Sequence, residues 1–184
     1  MTPAPPATRV ILTGFMGTGK TEVGRRLART LGRPFMDTDA LIESAAGRSV
    51  SAIFAAEGEA GFRARERQAV AEACRVAAAV IAVGGGALLD PENRRLLLAA
   101  GPVVCLRAAP REILERLGEA RDRPLLNRDG TASTAERLAR IESLLSARAA
   151  VYALASHAVD TDGRTPDQVA DAIRAILQES GGSA

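Results

Sequence analysis

Gly14-Phe15-Met16-Gly17-Thr18-Gly19-Lys20-Thr21 is the stretch best equipped for chemistry. It has the spacing of a phosphate-binding loop: a glycine, four residues, then Gly-Lys-Ser/Thr. Glycines let the backbone curl so that successive N–H groups point at one anion. The positive end of a following helix adds to that grip. Lys20 would reach the β- and γ-phosphates, and the Thr21 hydroxyl would ligate Mg²⁺. Lys20 is also the only lysine among 24 basic residues. A composition that otherwise uses arginine keeps a compact, flexible ammonium where the loop needs one.

Three further sets of residues follow. Asp37-Thr38-Asp39 comes just after Phe35-Met36. Residues two apart on a strand face the same side, so both carboxylates could face one cleft. One would hold Mg²⁺ through water and the other would accept a hydroxyl proton. The competing reading makes Asp39 a helix N-cap before Ala40-Leu41-Ile42. Gly84-Gly85-Gly86 follows the apolar run Val80–Val83. Unguarded backbone N–H groups there suit an anion or a sugar-like ring, against the alternative of a plain strand-to-helix turn. Arg148 stands four residues after Leu144 and seven after Ile141, on the apolar side of a helix expected at about 134–155. An inward guanidinium needs an anion, unless its stem packs and its head reaches solvent. Arg63 is flanked on one helix face by Glu59 and Glu66, as a surface ion pair or as an arginine oriented for a ligand carboxylate. Arg123 precedes Pro124 in a polar, Gly-containing segment.

Elements must position these residues. Apolar runs at about 9–13, 34–36, 79–83, 102–106 and 157–160 alternate with helical periodicity, which argues for α/β with a parallel sheet. Val23, Leu27 and Leu31 give the helix after the loop one apolar face, as Val169, Ile173 and Ile176 do for a last helix at about 165–179. Pro91, Pro110 and Pro166 mark helix starts. Residues of about 40–77 should hold two or three short helices, and about 118–133 reads as a mobile lid. We expect one domain over 1–184, with a core of about 9–179, a substrate-binding segment of about 38–66, and loose tails at 1–8 and 180–184.

Composition narrows the function classes. A net charge of +2 and 3% aromatics give neither an electrostatic nor a stacking footprint for nucleic acid. The longest uncharged apolar stretch, Val76–Leu89, carries three glycines and falls short of the ~20 residues of a membrane helix. Cys74 and Cys105 read as buried thiols, which weakly favours the cytoplasm. His157 reads as structural. Asp160-Thr161-Asp162-Gly163 has the form of a GTPase Asp-x-x-Gly, but it comes late in the chain, and one lysine cannot also supply an Asn-Lys-x-Asp.

Together these motifs resemble shikimate kinase, over nearly the whole chain from about Arg9 to Leu177. The more specific part is the run Gly47-Arg48-Ser49-Val50-Ser51-Ala52-Ile53-Phe54 followed by Gly58-Glu59-Ala60-Gly61-Phe62-Arg63-Ala64-Arg65-Glu66, with the triple glycine, Arg123-Pro124-Leu125-Leu126, and Arg148 with Tyr152. The resemblance implies a nucleoside monophosphate kinase fold: five parallel strands in order 2-3-1-4-5, flanked by helices, with a lid and a helical substrate segment. It implies transfer of the ATP γ-phosphoryl group to the 3-hydroxyl of shikimate, with Mg²⁺, in a cytoplasmic monomer. By similarity Asp39, Arg63, Gly84, Gly85, Gly86 and Arg148 hold shikimate, with Arg63 and Arg148 on its carboxylate. Gly17, Thr18, Gly19, Lys20, Thr21 and Glu22 bind ATP, Arg123 crosses from the lid onto the phosphates, and Arg116 and Arg164 flank adenine. Thr21 and Asp37 stand at the metal, and Lys20, Asp39 and Arg123 are the catalytic set. Glu22 departs from the small or hydroxyl residue usual in relatives and should point away from the phosphates. The alternatives are another small-molecule kinase of this fold, such as a gluconate kinase, or a nucleotide-binding relative without turnover.

Overall fold

The computed structural model describes residues 8–118 and 132–181. Five short strands form one parallel sheet: β1 Val10–Gly14, β2 Phe35–Asp37, β3 Val80–Ala82, β4 Val103–Arg107 and β5 His157–Asp160. Their spatial order is β2-β3-β1-β4-β5, the order that the resemblance implies. The order reverses beside β1, and in an open α/β sheet that switch point opens a crevice at the strands' carboxyl ends. β1 delivers the phosphate-loop motif to that point.

The sheet's pleat divides the core. Val10 and Leu12 of β1, with Val104, Leu106 and Val159, pack against Val23, Leu27, Val169 and Ile173. These come from α1 (Lys20–Leu31) and α7 (Pro166–Gly181). Ile11, Ile81 and Val103 face the other way, onto Val70 and Leu97. Alternation along each strand produces the two layers. Full burial of one such side chain stabilises by about 1.5–3 kcal/mol.

Proline opens α4 (Pro91–Ala100), α5 (Pro110–Leu117) and α7, where its missing N–H costs nothing. A Ser133–Glu136 capping box starts α6 (Thr134–Tyr152). The two or three short helices expected before β3 are α2 (Thr38–Ala46) and one 24-residue helix, α3 (Val50–Ala73), broken at Gly58. Gly58 has φ 68° and ψ −172°, which turns the second arm of α3 onto a new axis. α6 stops at Tyr152 rather than near 155. α7 runs to Gly181, into the expected C-terminal tail. Among the described residues no helix is long and apolar enough to cross a membrane. Cys105 is buried and Cys74 only partly so, and both are free thiols.

Candidate active site

The loop between β1 and α1 is built by its glycines and by Thr18. Gly19, at φ 88°, lies in the left-handed region that glycine enters without strain, and it hands the chain to α1. The buried Thr18 hydroxyl donates to the Phe15 carbonyl at 2.8 Å and pins the curl. Lys20 Nζ donates to the carbonyls of Gly14 and Phe15, at 2.9 Å each. Its ammonium is therefore folded over the loop it serves. Glu22 accepts from Arg26 at 2.6 Å with 62% of its side chain exposed, so its carboxylate turns outward along α1.

Both aspartates line one cleft, as strand alternation predicts, but Asp39 does so from a helix and not from the strand. Asp37 ends β2 and is itself the N-cap of α2: its Oδ1 accepts from the backbone N–H of Asp39 at 3.0 Å and of Ala40 at 3.3 Å. Asp39 is neither a strand residue nor a cap but lies in the first turn of α2. The cap leaves Asp37 Oδ2 for the Thr21 hydroxyl, which donates to it at 2.7 Å. A hydroxyl and a carboxylate side by side form a hard-oxygen donor set that fits Mg²⁺, an ion that keeps several waters and takes few protein ligands. Thr38, between the aspartates, is fully buried and accepts from the Gly84 N–H at 3.1 Å. It ties α2 to the triple glycine, and its alternation with two acidic neighbours was the available signal.

The triple glycine is set by close approach. A Cβ on Gly86 would lie 2.9 Å from both terminal nitrogens of Arg63, and one on Gly84 would lie 2.9 Å from Glu66 Oε1 and 3.1 Å from Asp39 Oδ1. Arg63 donates to Glu66 at 2.8 Å and to Glu59 at 3.2 Å, the two flanks expected from helical spacing. Burial works against the Arg63 charge, but Glu66 and Glu59 outweigh it and hold the guanidinium firmly protonated. Burial also pushes the Glu66 carboxyl above its ordinary value of 4.5 in spite of Arg63. Glu66 is 1% exposed, and its Oε1 has no hydrogen-bond partner among the described residues. Helical spacing marks Glu66 only as a flank of Arg63; its burial is a matter of tertiary packing, which local spacing does not reveal.

Arg148 is 6% exposed, on the inner face of α6. Its Nη1 donates to the Gly85 carbonyl at 3.3 Å, and its guanidinium carbon stands 5.3 Å from the Phe15 ring centroid. The stem-packed, head-in-solvent alternative does not hold. Tyr152, one turn later, donates its hydroxyl to the same carbonyl at 2.7 Å, and burial raises its pKa.

A cleft of about 410 Å³ is lined among others by Gly17, Gly19, Lys20, Thr21, Asp37, Asp39, Gly85 and Arg116; Arg148 adjoins it through the Gly85 carbonyl, while Arg63, Gly84 and Gly86 are not among its lining residues. Arg116 reaches it from α5 and donates to Thr161 and to the Gly17 carbonyl. Arg164 is exposed in the turn after β5 and is not among the cleft-lining residues. Arg123 and most of the expected lid lie outside the described residues.

Comparison with known proteins agrees with this geometry. Residues 16–178 match the family model described as shikimate kinase. The shikimate kinase of Symbiobacterium thermophilum is 47% identical over 175 residues, covering 94% of this chain and 97% of that protein. That of Geobacter metallireducens is 45% identical, covering 95% of each. Among solved structures, shikimate kinase from Acinetobacter baumannii in complex with shikimate superposes with a TM-score of 0.87 at 34% identity, covering 94% of each chain. A gluconokinase from Sinorhizobium meliloti shares the fold, at a TM-score of 0.56 and 17% identity with 96% of this chain covered. On its sequence, its sheet order and its cleft, the chain belongs to the shikimate kinase family.

Proposed function

We propose that this protein transfers the γ-phosphoryl group of ATP to the 3-hydroxyl of shikimate. The observation that carries the reading is the convergence of two arginines on the triple glycine, the partly buried Arg63 against Gly86 and the buried Arg148 on Gly85, beside the cleft that holds Lys20 and Asp39. Shikimate is an anion with three hydroxyls. It needs guanidinium forks for its carboxylate and acceptors for its hydroxyls. Each charge-assisted hydrogen bond contributes about 1.5–3 kcal/mol, so two arginines account for much of a micromolar to millimolar affinity.

Each residue then has a task. The loop N–H groups of Gly17, Thr18, Gly19 and Glu22 cradle phosphate, and Lys20 leaves the loop carbonyls to follow the γ-phosphoryl group. Thr21 and Asp37 would hold Mg²⁺, which would supply charge neutralisation to the nucleotide's phosphates. Asp39 orients the 3-hydroxyl and takes its proton. Arg116 and Arg164 contact the adenosine end, and Arg123 reaches the phosphates from a lid of about 118–133. The remaining site glycine, Gly84, keeps room for Asp39 and Glu66. We read the chain as one kinase unit with its substrate segment at about 38–66, acting as a cytoplasmic monomer with no nucleic-acid or membrane partner.

A panel of carboxylate-bearing polyols tests the assignment. ADP release in the presence of MgATP should depend on shikimate and not on gluconate. Gluconate-dependent release without a response to shikimate would reverse it, and nucleotide binding without any turnover would indicate a non-catalytic relative.

A further inference from the structure

Asp160-Thr161-Asp162-Gly163 has no role in the account so far, yet the structure gives each residue a specific task. Asp160 ends β5 and takes both oxygens to Arg107, at 2.9 and 3.1 Å. Asp162 accepts from the Ala109 N–H at 2.9 and 3.1 Å and so holds the start of α5. Gly163 supplies the left-handed turn, at φ 65°. Between them Thr161 is 3% exposed and saturated with hydrogen bonds. Its N–H donates to the Arg107 carbonyl at 2.8 Å, and its hydroxyl donates to the same oxygen at 3.0 Å.

The other side of Thr161 faces Arg116. Its Oγ1 accepts from Arg116 Nη1 at 2.8 Å, and its carbonyl accepts from Nη2 at 2.9 Å. Glu112 accepts from Nε at 2.9 Å, and the Gly17 carbonyl of the phosphate loop accepts from Nη1 at 3.4 Å. All three guanidinium nitrogens are thus held at the edge of the plane. These bonds lie in the guanidinium plane and leave its faces unused for hydrogen bonding; 27% of the Arg116 side chain stays exposed, and Arg116 lines the cleft. A guanidinium fixed by its edge can serve as a stacking platform for a flat, conjugated ring. Ordering it beforehand also lowers the entropy lost when that ring arrives.

We propose that Thr161 is a positioning residue for the nucleotide: by bonding two nitrogens of Arg116 it fixes the guanidinium plane beside the phosphate loop, so that the base of ATP stacks on a platform already in place. This rests on Arg116 contacting the nucleotide, as read above. Thr161 touches no ligand and acts through Arg116. Of the two Nη1 bonds, the hydroxyl supplies the shorter, so its removal leaves Nη1 with the 3.4 Å bond to Gly17 and loosens the side of the plane nearest the phosphate loop.

The test is calorimetric titration of the full-length protein with ADP and, separately, with pyrophosphate, which occupies the phosphate loop and has no base. Thr161→Val is expected to weaken ADP roughly tenfold and to leave pyrophosphate unchanged. Thr161→Ser, which keeps the hydroxyl, should restore ADP binding. In turnover the valine variant should raise the KM for ATP while keeping kcat and the KM for shikimate. Equal weakening of ADP and pyrophosphate would overturn the proposal, because Thr161 would then act through the loop or the fold. ADP binding at wild-type strength in Thr161→Val, with Arg116→Ala weakened, would also overturn it while leaving the reading of Arg116 intact. Wild-type ADP binding in Arg116→Ala would remove that reading itself. Should the valine variant fail to fold, Thr161→Ala removes the same hydroxyl and is read in the same way.

Discussion

Asp39 and Arg148 are proposed for two different tasks, and those tasks separate in kinetics. Asp39 lines the cleft and is proposed to take the hydroxyl proton; general-base catalysis contributes about 10²–10⁴ in rate. Asp39→Asn should therefore lower kcat a hundredfold or more while ADP binds as before; near-normal turnover would remove its role. Arg148 is nearly buried and touches the protein through Gly85 and Phe15. Arg148→Ala should raise the KM for shikimate tenfold to a hundredfold, with the KM for ATP little changed. A drop in melting temperature with unaltered shikimate affinity would make it a packing residue instead. Much of this was legible in the sequence because side-chain type and helical spacing are local signals. Arg63 between two glutamates and Arg148 on the Ile141 face follow from periodicity alone. Strand alternation placed Asp37 but not Asp39, since one residue of chain direction decides whether Asp39 belongs to a strand or to a helix. Asp37 settles it by capping α2 with one oxygen and meeting Thr21 with the other.

At the scale of elements, the Gly58 bend matters most for the substrate side. It divides α3 so that Arg63 and Glu66 ride on an arm of their own. The region of φ 68° and ψ −172° belongs almost solely to glycine, and another residue there costs about 1–3 kcal/mol. Nothing lies within 4 Å of a Cβ placed on Gly58, so the cost is one of backbone strain and not of crowding. Gly58→Ala should lower the urea midpoint accordingly, with the slope unchanged, and should weaken shikimate more than ADP. An unaltered midpoint would mean that α3 can straighten without loss. The bend explains why sequence periodicity suggested several short helices: one element changes axis midway, so no single apolar stripe runs its length. Helix starts were easier to read, because Pro91, Pro110 and Pro166 signal them directly, whereas the ends of α6 and α7 depend on packing.

For the whole molecule, the sheet order brings residues from opposite ends of the chain to the carboxyl edge of β1. Lys20 and Thr21 come from the start of α1, Asp37 and Asp39 from the end of β2 and the start of α2, the glycines from beyond β3, Arg116 from α5 and Arg148 from α6. In the proposed function, two anions, a nucleotide tail and a ring acid, meet at that edge. Local sequence could name these residues but could not bring them together; that required the family resemblance or the coordinates. The most direct measurement is ³¹P NMR of the protein with MgATP and shikimate. The account predicts loss of the γ-phosphate signal and growth of a single phosphomonoester whose phosphorus couples to the proton on carbon 3 of the ring. Release of inorganic phosphate alone, or an ester on another hydroxyl, would contradict it.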